Sequence, residues 1–306
     1  MSHFLTIPIN EHGIILDQRF AEQLQTAGTH LFGLTDVFLY SQGGCHGGTR
    51  AAQAEQNALS LGFAKSLQGL VCASPSQWPR IGAAFAPLAL PIHWPAPQPE
   101  AQDSIAGCRE DTSFTTLQQR ADSIGRQAGY SLLRLMIERQ KDGQPYRFNL
   151  IGHSFGCRVL CSALQTLAED DGLLARLAGN EFNVALLQPV IDSNALVPGQ
   201  LYGKVQQSIP RLRMLITTSA RDMALSKWEA MGAKGPTGNL VVPVDQRFDV
   251  TSAVVPTFTE RLGVANLTPL HLSTANDRDA TDRRSGQHSD INRPQIYDLL
   301  ARFFGQ

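Results

Sequence analysis

Several features that would fix a function class at once are missing from this chain. Its five cysteines, Cys45, Cys72, Cys108, Cys157 and Cys161, are odd in number and show no CxxC spacing. That argues against a disulfide framework or a zinc ribbon and for free thiols in a reducing compartment. Charge of one sign is also missing, since 26 Lys and Arg stand against 27 Asp and Glu, for a formal net charge of −1. With no long-range field, neither nucleic acid nor an anionic membrane is the expected partner. Long apolar runs are absent too: the longest, Ile81 to Ile92, is interrupted by Gly82, Pro87 and Pro91 and is too short to span a bilayer. Met1 to Thr6 carry neither a basic leader nor a continuous apolar stretch. A soluble, cytoplasmic protein with no integral membrane segment is expected.

What is there is ordinary in bulk and informative in pattern. At 306 residues, 42% hydrophobic and 17% charged, the chain can bury a sizeable core. It contains no internal repeat and no linker, so residues 1–306 are expected to form a single domain. A short strand over Phe4 to Ile9 and a helix over Arg19 to Thr26 lead to a compact apolar strand, Asp36 to Tyr40, which stops at the glycine-rich Ser41-Gln42-Gly43-Gly44-Cys45-His46-Gly47-Gly48. Helical spacing follows over Thr49 to Gln68. Prolines at Pro75, Pro79, Pro87, Pro91, Pro95, Pro97 and Pro99 then exclude long helices, leaving one strand, Ala86 to Trp94, and a surface loop from Pro95 to Ser113.

Apolar positions Leu117, Ile124, Leu132, Leu135 and Met136 suit one long helix over Thr116 to Gln140. Beyond it, Phe148 to Ile151, Phe182 to Leu187 and Leu212 to Thr217 are near-continuous apolar runs, as expected for strands buried on both faces of a parallel sheet. A weaker strand, Leu267 to Ser273, and a final helix, Asn292 to Phe304, complete an alternation that predicts a doubly wound α/β fold.

The most informative stretch is the strand Phe148-Asn149-Leu150-Ile151, the turn Gly152-His153-Ser154-Phe155-Gly156 and the amphipathic helix that begins near Arg158. Strand, Gly-x-Ser-x-Gly and helix in that order form a nucleophile elbow, which holds a serine in a strained turn with its hydroxyl projecting. The alternative is a tight turn whose serine caps the helix. A serine hydroxyl is a poor nucleophile at neutral pH, so it needs a histidine to take its proton and a carboxylate to orient that histidine.

In the elbow architecture these partners follow in the order acid, then histidine. Only His271 and His288 lie downstream. His288 stands in a polar loop before the last helix, where it can reach over the sheet edge, whereas His271 falls inside a predicted strand. Asp222, just past the Leu212 to Thr217 strand, is the expected acid, and Asp192, after the preceding strand, is its rival. The oxyanion needs main-chain N–H donors, and Phe155 and Gly44 are the candidates. Cys45-His46 lacks two further ligands at sensible spacing, so no metal is implied. Cys157 and Cys161, one helical turn apart, read as packing thiols.

These residues resemble the α/β-hydrolase superfamily, and more narrowly bacterial serine hydrolases that pair an Ile-Gly-His-Ser-Phe-Gly elbow with a late Asp and a His-Ser-Asp-Ile segment. The matching residues here are Ile151 to Gly156, Ser219 to Asp222 and His288 to Ile291, and Leu187-Gln188-Pro189 and Asp122 to Leu135 are also similar. Where those relatives carry His-Gly-Trp, this chain has Gln42-Gly43-Gly44. The resemblance implies a mostly parallel central sheet with helices on both faces, and an esterase working through an acyl-enzyme with Ser154, Asp222 and His288 and no cofactor. Its expected partner is a small-molecule ester. The short stretch between the strands near Leu187 and Leu212 leaves no room for a large cap domain. Two alternatives stand beside this expectation: a lipase or thioesterase with the same triad, and a non-catalytic or interaction protein on a hydrolase scaffold.

Overall fold

In a computed structural model of the chain, the residues described are 3–4, 7–8, 34–43, 87–93, 114–140, 144–192, 194–218, 222, 267–271, 288 and 294–305. The strands among them are β1 (His3–Phe4), β2 (Ile7–Pro8), β3 (Asp36–Gln42), β4 (Pro87–His93), β5 (Arg147–His153), β6 (Glu181–Leu187), β7 (Leu212–Thr218) and β8 (Leu267–His271). They pair in parallel throughout, in the order β1-β4-β3-β5-β6-β7-β8. The expected strand over Phe4 to Ile9 is represented by β1 and β2, which pair with β4 in one common register: Phe4 opposite Ala89, Ile7 opposite Ile92. Pro8 is tolerated there because an outer strand can leave an N–H position unused.

Register explains the continuous apolar runs. Val37, Phe148, Phe182 and Leu212 share one row across four strands, and Leu39, Leu150, Val184 and Met214 share another. Both rows belong to the main core. Alternate residues point the other way, as strand geometry requires, so Tyr40, Ile151, Ala185 and Leu215 form a buried row on the opposite face. Each central strand is therefore apolar on both sides.

The first face is covered by helices α1 (Phe114–Ile124), α2 (Tyr130–Glu138) and α3 (Phe155–Ala168). The expected single helix over 116–140 is present as one continuous rod, but a π-helical turn, Gly125–Gly129, separates α1 from α2. A Cβ on Gly125 would fall 2.3 Å from the Val159 carbonyl oxygen. Backbone thus lies directly on backbone where this rod crosses α3.

After α3 come the short α4 (Asp171–Leu174) and α5 (Gly203–Ser208), then α6 (Pro294–Gly305), which covers the second face. Phe304 of α6 meets Phe38 edge-on with centroids 5.8 Å apart, and Phe303 lies 5.0 Å beneath the Arg213 guanidinium. Helices therefore lie on both faces of a parallel sheet, the α/β class. Between β6 and β7 the described residues hold one short helix and no cap domain. The predicted helices over Arg19 to Thr26 and Thr49 to Gln68, and the loop Pro95 to Ser113, lie outside the described residues.

Candidate functional site

The strand-turn-helix order puts Ser154 between β5 and α3, at the carboxyl edge of the sheet. Its backbone angles, φ 56° and ψ −127°, are ones that an L residue rarely adopts. Holding such a residue costs on the order of 1–3 kcal/mol. Main-chain bonds hold it there: the Ser154 N–H donates to the Leu187 carbonyl (3.1 Å), and its own carbonyl accepts from the N–H groups of Cys157 (3.1 Å) and Val190 (3.2 Å). The two motif glycines allow the close approach. A Cβ on Gly152 would sit 2.7 Å from Cys157 Cα, and one on Gly156 would sit 1.9 Å from the Ser41 carbonyl oxygen.

Ser154 makes no side-chain capping bond to α3. Its Oγ instead lies 2.8 Å from His288 Nε2, and His288 Nδ1 lies 2.8 Å from Asp222 Oδ2. The three residues are 7%, 8% and 0% exposed, so they meet in a largely dehydrated place. A carboxylate can only accept, so Asp222 fixes the Nδ1–H tautomer of His288. Nε2 is then left as the acceptor for the Ser154 hydroxyl proton.

The structure thus brings together the serine, acid and histidine named from the sequence. The rivals are elsewhere. His271 ends β8 in register with Thr218. Asp192 acts on Arg158: burial pushes that guanidinium down, but Tyr202, Asp122 and Asp192 together hold it above its ordinary value. Arg158 also pairs with Asp122 at 2.9 Å, and the Tyr202 hydroxyl donates to the same carboxylate at 2.5 Å.

Of the two expected oxyanion donors, Phe155 opens α3 directly after Ser154, and Gly44 lies outside the described residues, as do Cys45 and His46. Gly43 is described and was not singled out from the sequence. A Cβ there would fall 2.7 Å from the Phe155 nitrogen and 2.9 Å from Ser154 Oγ. Only a glycine keeps that space open, and its signal was the run Gly43-Gly44 itself.

His153 was also missed as more than a turn residue. It is 5% exposed, its Nε2 lies 2.8 Å from the His288 carbonyl oxygen, and the two imidazole rings are 4.9 Å apart at 43°. No sequence signal pairs a side chain with a main-chain oxygen 135 positions away. Gln188, also at positive φ (43°), donates its N–H to Thr217 Oγ1 at 3.0 Å and so joins the ends of β6 and β7 beside the elbow.

Cys157 and Cys161 are buried free thiols. Burial pushes the Cys157 thiol well up and that of Cys161 to about 12, so neither supplies a thiolate at neutral pH. Among the described residues no group of three or more His, Cys, Asp or Glu could hold a metal ion, and no helix is long and apolar enough to cross a membrane. No family model matches the chain, and no curated protein matches it.

Proposed function

We propose that the chain is a serine hydrolase of the α/β-hydrolase fold that cleaves a carboxylic ester through an acyl-enzyme. The observation that carries this reading is the continuous path Asp222 Oδ2, His288 Nδ1, His288 Nε2, Ser154 Oγ, with both gaps 2.8 Å and the serine in a strained turn. In this reading His288 takes the Ser154 proton as Oγ attacks the ester carbonyl, then gives it to the departing alkoxide. Asp222 keeps the imidazole in the working tautomer and stabilises the imidazolium. The oxyanion develops beside the Phe155 amide, in the space that Gly43 leaves open, with Gly44 as the second donor. No cofactor enters the scheme.

The substrate is a small or medium acyl ester, because the segment from Val190 to Arg211 that could cover the site presents mainly polar residues and leaves only Leu201 as an exposed large hydrophobic among the described residues. A thioester would meet the same machinery. The free thiols Cys157 and Cys161 support a reducing, cytoplasmic setting.

The test is labelling by a fluorophosphonate probe, read by mass spectrometry. Ser154 is the expected site, and Ser154→Ala, His288→Ala and Asp222→Asn should lose labelling and turnover of a p-nitrophenyl ester. Asp222→Asn is expected to lower kcat roughly ten-thousandfold, because the amide holds the wrong tautomer. A folded wild-type protein that does not label would sink the hydrolase reading.

A further inference from the structure

We propose that His153 is a positioning residue that anchors the backbone of His288, and that this anchor matters most while Ser154 carries the acyl group. The consequence for turnover rests on the hydrolase reading; the anchor itself rests on geometry alone. His153 ends β5 in register with Gln42 on one side and Leu187 on the other, so its backbone is fixed by three strands. Its Nε2 lies 2.8 Å from the His288 carbonyl oxygen. A carbonyl oxygen only accepts, so His153 carries its proton on Nε2 and donates it.

The reason an anchor is needed follows from how His288 is held. Its ring is gripped at Nδ1 by Asp222 and at Nε2 by Ser154. Two points leave rotation about the line that joins them. The His288 carbonyl lies off that line, and a third contact there removes the rotation.

One of the two ring contacts is temporary. Once Ser154 Oγ is esterified it has no proton to donate, and the resting Ser154–His288 bond is lost. His288 must then take a proton from water as the water oxygen attacks the acyl carbonyl. The bond from carbonyl carbon to Oγ breaks, Oγ takes the proton back from Nε2, and the carboxylic acid leaves. Throughout that half-reaction Asp222 and His153 are the two hydrogen-bonding holds left on it among the described residues.

Substitutions that separate the donor from the ring test this in the full-length protein. His153→Phe keeps a ring and removes the donor, and His153→Leu removes both ring and donor. His153→Gln keeps an amide N–H within reach of the same carbonyl. With a p-nitrophenyl ester, Phe or Leu should lower kcat roughly tenfold to a hundredfold while kcat/KM, which reports acylation, falls less. A pre-steady-state burst of p-nitrophenol should accompany this, and Gln should restore kcat. Equal losses in kcat and kcat/KM without a burst, or Gln no better than Phe and Leu, would overturn the proposal.

A second readout needs no turnover. The downfield proton resonance of the His288 Nδ1–H bonded to Asp222 should broaden or vanish in the Phe and Leu variants and persist in Gln. A resonance untouched in all three overturns the anchor. A wild-type protein that turns over no ester, but whose resonance follows this pattern, sinks the hydrolase reading and supports the anchor.

Discussion

Two buried polar chains cross the same face of the sheet, about 13 Å apart along the strands at the usual rise of ~3.3 Å per residue, and they are built in opposite ways. At the amino end, Asp36 accepts from Arg147 (2.8 Å) and from Asn149 (3.1 Å), and Asn149 accepts from Asn183 (3.0 Å). Arg213 extends this ladder toward Asn183 and lies over Phe303. All but Phe303 are strand residues whose partners stand on neighbouring strands. At the carboxyl end, only His153 is a strand residue: Ser154 sits in the turn, Asp222 lies past β7, and His288 precedes α6.

The ladder specifies the fold. Slipping any strand by one residue would turn its polar member to the other face and leave buried Asp36 or Asn183 unpaired. The site does the reverse: it keeps Ser154 in an unfavourable backbone region and leaves open a space that a Gly43 side chain would otherwise fill. One chain adds stability, and the other uses it.

This contrast can be broken at either end. Outside the triad itself, the largest effect is expected for Gly43→Ala, whose Cβ would crowd Ser154 Cβ at 2.6 Å and Phe155 N at 2.7 Å. Displacing one oxyanion donor costs about a hundred- to a thousandfold in kcat. We expect a loss of that size in esterase assays, with thermal unfolding changed far less. Next is Asn149→Ala, which takes one hydrogen bond from Asp36 Oδ1 and one from Asn183 Nδ2, although Asp36 keeps Arg147, at a cost of about 1–3 kcal/mol in all. Denaturant titration should show lower stability, with kcat per folded molecule retained. A matching loss of kcat would mean that the two ends are coupled.

The smallest effect is the sharpest. Ser154→Gly should be inactive yet more stable than Ser154→Ala by about 1 kcal/mol, because glycine relieves strain of about 1–3 kcal/mol and returns part of it as backbone entropy. Equal melting temperatures would show that the turn is not strained.

How far the sequence foretold these regions follows from which interactions are local. The strands β3, β5, β6 and β7 were legible because an apolar run bounded by turns needs no knowledge of its neighbours. Ser154, Asp222 and His288 were legible because elbow, late acid and late histidine come in a fixed order, and burial and distance then bring the three together. Asn149 and Asn183 read only as polar interruptions in apolar runs, since their partners lie 113 and 34 residues away. The π turn was hidden because the apolar spacing of α1 and α2 survives an inserted residue, and the reason for Gly125 lies on α3. His153 was hidden for the same cause: what it holds is a main-chain oxygen, which no side-chain pattern announces.

The placement of α6 carries a consequence for the chain's birth. Phe303 and Phe304 fasten α6 beneath Arg213 and Phe38, and His288 lies six residues ahead of its first turn. A ribosome releases the elbow and Asp222 before this helix, so the nascent chain at first carries Ser154 without the His288 that lies against it in the folded protein. On the proposed hydrolase reading, activity would wait until the chain through His288 and α6 has been made and docked.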